Sequence, residues 1–208
     1  HHICTLEGGL TCFKDKTDFK IANSVRSHGW TRHLDKEEKI FKEYPTIDPG
    51  FLFNFVGYNL RLSEPQAAIG IQQLKQLDIY IKKRIKSAET YSSFFKTYKD
   101  LFKYIKPNEK ALSSWFGFPL VLEGKLKGKR NKLREMLFEN NIESRPFLAG
   151  DFTLQPVVKK FEYLKDEKLK VSNAIATDGL AIPCHQDIND RDIEKITSLI
   201  EKFIKINY

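Results

Sequence analysis

The chain has 208 residues, a length that allows one or two domains with a well-packed core. Hydrophobic residues make up 41% of the chain and 16 residues are phenylalanine, which excludes intrinsic disorder. Basic residues outnumber acidic ones by 35 to 27, for a formal net charge of +8. They are interleaved with acids, as in Lys36-Glu37-Glu38-Lys39, a pattern typical of solvated helix faces that argues against nucleic-acid binding.

The cysteines are Cys4, Cys12 and Cys184, an odd number without a Cys-x-x-Cys spacing. This pattern predicts neither a disulfide framework nor a metal site, and it favours reduced thiols in the cytoplasm. No run of 18 apolar residues occurs, so neither a transmembrane span nor a membrane partner is predicted. A signal peptide stays open if the natural N-terminus lies upstream.

The first elements are short. Residues 9–13 follow a Gly-Gly turn and predict a buried strand. Asp15 or Thr17 then caps a helix that runs to Val25 and ends near Gly29. Residues 30–55 have mixed charge and little periodicity, so we expect a long loop there.

The longest predicted element is a helix that begins after Ser63, with Pro65 in its first turn, and continues to about Tyr98. Its apolar positions recur at spacings of three and four, which predicts a stripe facing a core. The stripe consists of Ala68, Ile71, Leu74, Leu77 and Ile81. Beyond this helix the sequence pattern changes to short strands mixed with helices. This change predicts a larger domain over residues 1–98 and a small α+β domain over residues 99–208.

In the small domain we expect four strands and three helices in mixed order. The strands are predicted at residues 101–105, 115–122, 142–145 and 180–183, and the helices at 129–140, 168–177 and 190–206.

The chain opens with a motif, His1-His2-Ile3-Cys4-Thr5-Leu6-Glu7-Gly8-Gly9. It resembles the cofactor loop of the DegT/StrS family, whose pyridoxal-phosphate enzymes act on nucleotide-linked keto-sugars. In the family's aminotransferases a Lys that binds the cofactor covalently stands where His1 stands here, counting back from Glu7. A smaller branch, the 3-dehydratases, carries His instead. The end of a purification tag, or a terminal His without a role, is the alternative interpretation of His1.

The resemblance extends to the C-terminus. It implies an α/β fold, the C-terminal portion of an aspartate-aminotransferase-type (fold type I) enzyme with a small α+β domain at its end. It also implies pyridoxal 5'-phosphate and pyridoxamine 5'-phosphate as cofactor forms, with L-glutamate as amino donor. One dehydratase of the branch binds an iron–sulfur cluster through cysteines that lie partly in the loop after the first helix; residues 30–55 contain none, so no cluster is expected.

The implied reaction is dehydration at C3 of a nucleotide-linked 4-keto-6-deoxyhexose, with His1 as acid and base because imidazole titrates near neutral pH. The products feed surface polysaccharide such as lipopolysaccharide O-antigen. A cytoplasmic bacterial homodimer with its active site at the interface is implied. A sugar aminotransferase is the alternative if a Lys lies just upstream of His1. A non-catalytic interaction protein or degenerate homologue is an alternative of another class.

A second motif, Gly57-Tyr58-Asn59-Leu60-Arg61, is followed by Gln66-Ala67-Ala68-Ile69-Gly70. In the family that it resembles, this Asn reaches the cofactor phosphate of the partner subunit, a task that suits the donor NH₂ of an amide. Arg61 suits a phosphate or carboxylate of the substrate. A plain helix-entry turn is the alternative for both residues.

Two weaker candidates remain. His28, in Arg26-Ser27-His28-Gly29, resembles a family segment and is a candidate catalytic residue, with a structural helix cap as the alternative. Arg145, in Ile142-Glu143-Ser144-Arg145-Pro146, is a candidate for binding an anionic group of the substrate.

Overall fold

The computed structural model of the protein describes residues 2–35, 38–164 and 169–208. The described chain forms two compact units. The first, Ile3–Lys75, is called the loop unit, and the second, His2 together with Gln76–Tyr208, is called the sheet unit. The predicted domain boundary after residue 98 stays a prediction.

The loop unit contains helices α1 (Lys16–Val25) and α2 (Lys39–Glu43) and the first turns of the long helix α3 (Glu64–Lys96). As expected, Asp15 caps α1, because its carboxylate accepts from the backbone N–H groups of Thr17 at 2.7 Å and Asp18 at 3.0 Å. The strand expected at residues 9–13 is absent from the described structure. No neighbouring strand of this unit pairs with it, and an unpaired segment cannot form a ladder.

The apolar stripe of α3 does not face a core as expected. Ile71 is 60% exposed and Leu74 is 59% exposed, whereas the buried residues of the helix begin only at Arg84. Periodicity identifies an apolar face of a helix but not whether another segment covers it. Within the described residues, the first turns of α3 therefore carry apolar side chains in contact with solvent.

The sheet unit is built on a four-stranded antiparallel sheet of order β1-β2-β4-β3. The strands are β1 (Phe102–Tyr104), β2 (Phe118–Leu122), β3 (Arg145–Pro146) and β4 (Gly179–Ile182). In the central pair, Phe118 lies opposite Ile182 and Leu120 opposite Leu180. All four of these side chains are fully or almost fully buried, so the sheet centre is also the centre of the core.

Among the described residues, three α-helices pack in the sheet unit with the later turns of α3: α4 (Arg130–Glu139), α5 (Lys170–Asp178) and α6 (Asp190–Asn207). A capping box between Asn189 and Asp192 begins α6. Phe95 of α3 stacks on Phe118 with a ring-centroid distance of 5.8 Å, which joins the helix layer to the sheet.

The strands and helices predicted for this half of the chain are present, but the strand bounds differ, and the first strand is shortened to Phe102–Tyr104. The second strand begins at Phe118 instead of residue 115, because Trp115 has a positive φ of 49° and cannot continue an extended strand. The third strand contains only Arg145–Pro146. Residue 168, the expected start of α5, lies outside the described residues.

None of the helices that the structure describes is both long and apolar enough to cross a membrane.

Candidate active site

The two sequence motifs of the loop unit are joined by a hydrogen bond. The side-chain amide of Gln66, in the first turn of α3, donates to the carbonyl oxygen of Glu7 at 2.8 Å. The Thr5 hydroxyl donates to the same oxygen at 3.1 Å. The amide oxygen of Gln66 also accepts from the N–H of Ser63 at 3.0 Å, as in a capping box, so the start of α3 fixes the Glu-Gly-Gly turn.

Gly8 is required by this turn. Its φ is +145°, and a Cβ there would lie 3.2 Å from both Leu62 Cδ1 and Thr5 Oγ1. A side chain at this position would therefore be strained by the backbone conformation, and the Leu62 and Thr5 side chains would have to shift to make room for it.

The end of α1 is interlocked with the segment before α3. Tyr58 donates its N–H to the Val25 carbonyl at 2.7 Å, and its own carbonyl accepts from the N–H of His28 at 2.8 Å. Gly29 has a φ of +81°, and a Cβ there would collide with the carbonyl of Phe55. Only glycine satisfies both the backbone conformation and the close approach of the two chains.

The contacts between α1 and the segment before α3 determine where the predicted binding residues Asn59 and Arg61 lie. A β-bridge joins Ser27 to Asn59, and Arg61 follows two residues later. Asn59 and Arg61 both line one cavity of about 710 Å³, together with the Glu7-Gly8-Gly9 turn. The remaining lining residues are Thr11, Phe13, Phe19, Ala22, Asn23, Arg26, Leu60, Leu62 and Gln66.

The polar groups of this cavity are arranged as two arginine–amide pairs. Arg61 Nε donates to Asn59 Oδ1 at 3.3 Å, and Arg26 Nε donates to Asn23 Oδ1 at 2.7 Å. Because the amide oxygen of Asn59 accepts from Arg61, its NH₂ group points elsewhere, and the described residues give that group no partner. Two guanidinium groups and an amide donor fit an anion such as a phosphate ester.

Arg26 was missed by the sequence interpretation, although it stands in the Arg-Ser-His-Gly segment that drew attention to His28. It is the exposed last residue of the α1 turn, and a helix C-terminus favours a cation. The sequence feature that could have identified Arg26 is its place in the Arg26-Ser27-His28-Gly29 segment, two residues before His28.

The structure does not bring His28 into the cavity lining. His28 has a φ of +66°, and its ring packs edge-on against Trp30 with centroids 4.8 Å apart. This contact suits a structural residue, and a catalytic role of His28 stays a prediction. His1 lies outside the described residues, so its predicted role also stays a prediction.

Arg145 belongs to the sheet unit, where it occupies the edge strand β3. Its Nε donates to Glu143 Oε1 at 2.9 Å, and it lines a shallow concavity of about 590 Å³ with Arg134 and Glu135. An exposed ion pair of this kind leaves both groups available to solvent. Its substrate contact stays a prediction.

His2 is the second residue that the sequence interpretation missed. Its Nε2 lies 2.7 Å from Ser114 Oγ, inside the sheet unit. Burial, and after it the charge of Arg84, lower the pKa of His2. The His-His pair was visible in the sequence, but its partner is 112 residues away and no local pattern indicates it.

In the part of the chain that the structure describes, no group of three or more His, Cys, Asp or Glu side chains is arranged to hold a metal ion. Cys4 and Cys12 are exposed and free, whereas Cys184 is buried.

Comparisons with known proteins identify a family and several relatives. The model of the DegT/DnrJ/EryC1/StrS aminotransferase family matches residues 1–201. The chain is 35% identical over 207 residues to the GDP-4-keto-6-deoxy-D-mannose 3-dehydratase of Yersinia pseudotuberculosis, a match that covers 97% of this chain and 51% of that protein. The chain therefore spans about half the length of the curated relatives that it matches.

Solved structures give the same result. The GDP-4-keto-6-deoxy-D-mannose 3-dehydratase of Escherichia coli with bound hydrated pyridoxal phosphate matches with a TM-score of 0.84 and 32% identity, over 96% of this chain and 51% of that one. A 3-dehydratase of the same name with a trapped adduct of pyridoxal phosphate and glutamate matches with a TM-score of 0.81 and 32% identity, over 95% of this chain and 51% of that one.

The expected fold is thereby confirmed: the chain has the fold of about half of a DegT-type aminotransferase-fold protein. The family match covers residues 1–201 and so includes the two motifs that line the cavity. The chain belongs to the DegT/DnrJ/EryC1/StrS aminotransferase family.

Proposed function

We propose that this chain is part of a pyridoxal-phosphate-dependent 3-dehydratase that acts on a nucleotide-linked 4-keto-6-deoxyhexose. The reaction consumes one keto-sugar and one L-glutamate. It gives one 3,6-dideoxy-4-keto sugar, one 2-oxoglutarate and one ammonia, so the oxygen lost from C3 is balanced by the oxygen gained by 2-oxoglutarate. The GDP-linked sugar named for the relatives is the first substrate to test.

The observation that supports this proposal most strongly is the shared cavity of the Glu-Gly-Gly turn, Asn59 and Arg61. Two motifs some 50 residues apart in the chain, both typical of the family, supply the walls and the anion-binding donors of one volume of about 710 Å³. That volume is within the usual range for small-molecule sites, roughly 300–1,000 Å³.

The cofactor supplies an exchangeable amine and an electron sink when it is bound. The donors of the cavity fit its phosphate: the Asn59 NH₂ and the Arg61 guanidinium can both donate to phosphate oxygens. In this proposal Asn59 serves the cofactor of a second subunit, so the enzyme is a homodimer. The exposed side chains of Val56 (98%) and Leu60, on the same segment, give the loop unit apolar surface for such an interface.

His1 is the proposed acid and base. An imidazole that does not bind the cofactor covalently can take a proton beside the cofactor and return one to the departing C3 hydroxyl. A Lys in that place would hold the cofactor covalently and support amino transfer. In this scheme His28 stays a weaker catalytic candidate, and Arg145 is a candidate for an anionic group of the substrate.

We place the enzyme in the cytoplasm, in the synthesis of deoxysugars for surface polysaccharide such as O-antigen. Nucleotide-linked sugars and L-glutamate are cytoplasmic metabolites. The three cysteines form no disulfide with one another in the described structure, as suits a reducing compartment.

A sugar aminotransferase is the second candidate, because the family model that matches the chain is that of an aminotransferase family. It requires a Lys upstream of His1 to hold the cofactor. A non-catalytic homologue requires that the complete protein bind no cofactor.

Borohydride reduction of the complete protein separates these three functions. The protein is loaded with pyridoxal phosphate, reduced and weighed, with and without prior addition of L-glutamate. The dehydratase proposal expects no reduced adduct on a Lys and a bound cofactor that converts to its amine form with glutamate. A reduced adduct on a Lys next to His1 would instead make this an aminotransferase, and absence of bound cofactor would leave the non-catalytic homologue.

A further inference from the structure

The imidazole of His2 is held by one residue from a distant part of the chain. Its Nε2 lies 2.7 Å from the hydroxyl oxygen of Ser114 and 3.0 Å from the Ser114 carbonyl oxygen. The hydroxyl can donate to Nε2 when the ring proton is on Nδ1, and Nε2–H can donate to the carbonyl in the other tautomer. Either tautomer of His2 therefore finds a partner without moving the ring.

The loop that carries Ser114 is itself fixed. The next residue, Trp115, has a φ of +49°, and its ring stacks on Phe118 of the core at 5.5 Å between centroids. Arg84 of α3 is only 5% exposed, and its Nη1 donates to the carbonyl of Trp115 at 2.9 Å and to that of Phe116 at 3.3 Å. A buried guanidinium bound to two successive carbonyls leaves this loop little freedom.

Arg84 joins this loop to a second one. Its Nη1 also donates to the Cys184 carbonyl at 3.3 Å, and its Nη2 donates to Gln186 Oε1 at 2.8 Å. These partners are all neutral oxygens, so no carboxylate among them neutralises the positive charge of the Arg84 guanidinium. The burial of His2 and the positive charge of Arg84 both lower the pKa of the His2 imidazole, so both favour its neutral form.

We infer that His2 is a positioning residue for the proposed acid–base residue His1, with Ser114 as its anchor and Arg84 as the support of the anchoring loop. His2 is joined to His1 by a peptide bond, so a change in the anchoring of His2 acts one residue away in sequence from the proposed acid–base residue. A neutral His2 also adds no positive charge next in sequence to the residue that is proposed to gain and lose a proton. This inference rests on the proposed dehydratase function.

The test uses the complete protein with cofactor, nucleotide-linked keto-sugar and L-glutamate. Ser114→Ala removes the hydroxyl and keeps the carbonyl, and Ser114→Thr restores a hydroxyl. Ser198→Ala, at an exposed serine of α6 in the same unit, is the matched control. We expect Ser114→Ala to lower kcat roughly 10- to 100-fold through misplacement of His1, with KM for the sugar within about twofold. Ser114→Thr should recover most of kcat, and Ser198→Ala should stay within about twofold of the wild type.

A second readout does not depend on turnover. In protein labelled with ¹⁵N-histidine, the side-chain signals of His1 and His2 are assigned from their losses in His1→Gln and His2→Gln variants. We expect Ser114→Ala to shift the signals of both histidines, and Ser198→Ala to shift neither. Should Ser114→Ala not fold, Ser114→Cys keeps the volume and weakens the hydrogen bond, and it serves in both measurements.

The two readouts separate the possible failures. If the wild-type protein dehydrates no sugar but Ser114→Ala still shifts both histidine signals, the proposed function is wrong and the positioning contact stands. If Ser114→Ala leaves the His1 signal and kcat unchanged, the positioning role of His2 is wrong even though the dehydratase function holds.

Discussion

The side-chain amide of Gln66 donates a hydrogen bond to the carbonyl of Glu7 at 2.8 Å, across 59 residues of sequence. The same side chain accepts from the Ser63 N–H and hydroxyl at its other end. Gln66 thus stabilises the start of the long helix and also binds the Glu-Gly-Gly turn. Both motifs line the same cavity. The start of α3 is therefore part of the candidate cofactor site.

Gln66→Glu separates these two tasks. The carboxylate keeps the oxygen that accepts from Ser63 but loses the NH₂ group that donates to Glu7. We expect a loss of about 1 kcal/mol at the turn, which is a roughly fivefold weaker apparent affinity of the complete protein for pyridoxal phosphate. An absorbance titration measures this. Gln72→Glu, exposed on the same helix, should bind as the wild type does, and equal affinity in both variants would mean that the Gln66 contact is irrelevant to the site.

Asn59→Asp tests the phosphate donor. The substitution preserves shape but exchanges an NH₂ donor for a carboxylate oxygen, which repels phosphate. We expect the dissociation constant for pyridoxal phosphate to rise at least about tenfold, or ~1.4 kcal/mol, with partial relief at high salt. The matched control is Asn54→Asp, an exposed residue of the same segment that does not line the cavity. An unchanged affinity in Asn59→Asp would remove Asn59 from the site.

Gly29→Ala tests the interlocking of α1 with the segment before α3. Alanine is strained at a φ of +81°, and its Cβ would collide with the Phe55 carbonyl. We expect a cost of roughly 2 kcal/mol or more, seen as a fall of about 4–8 °C in the melting temperature. Gly9→Ala is the control, because a Cβ at Gly9 meets nothing within 4 Å. Equal melting temperatures would show that the two segments separate freely.

The reactivity of the cysteines follows from their burial. Burial raises the pKa of the Cys184 thiol to about 11, whereas Cys4 and Cys12 are exposed. The thiolate is the reactive form, so at pH 8 we expect alkylation of Cys4 and Cys12 long before Cys184. Peptide mass spectrometry of the folded protein follows each site separately, with the unfolded protein as control. Labelling of Cys184 at the rate of Cys4 would contradict the packing of the sheet unit.

Local signals in the sequence predicted the sheet unit well. Strand β2 carries apolar residues at alternate positions, Phe118, Leu120 and Leu122, and all three are buried. Those signals describe contacts made inside the unit. The described fold therefore follows the expected element order even where the ends differ by a few residues.

The loop unit was predicted less well. Its sequence patterns predict an apolar helix face and a strand, but within the described residues no segment covers that face or pairs with that strand. The stripe at Ile71 and Leu74 is a real apolar face of α3, yet it is exposed in the described chain. The expected strand at residues 9–13 has no pairing partner there. Pattern alone cannot indicate whether a covering segment is present.

For the candidate site, motif resemblance singled out Asn59 and Arg61; the structure brings both to one cavity, and their roles stay predictions. It did not find Arg26 or the contact between His2 and Ser114, because these depend on the geometry of loops and on residues far apart in sequence. Such contacts have no local sequence signature.

The central claim is that the complete protein removes the C3 hydroxyl of a nucleotide-linked keto-sugar. The most direct test incubates it with pyridoxal phosphate, L-glutamate and GDP-4-keto-6-deoxymannose, and determines the mass of the nucleotide-sugar product together with 2-oxoglutarate and ammonia. We predict a keto-sugar that is lighter by one oxygen atom, with one 2-oxoglutarate and one ammonia for each product molecule. A 4-amino sugar that retains its C3 hydroxyl, formed without release of ammonia, would contradict the dehydratase and identify an aminotransferase.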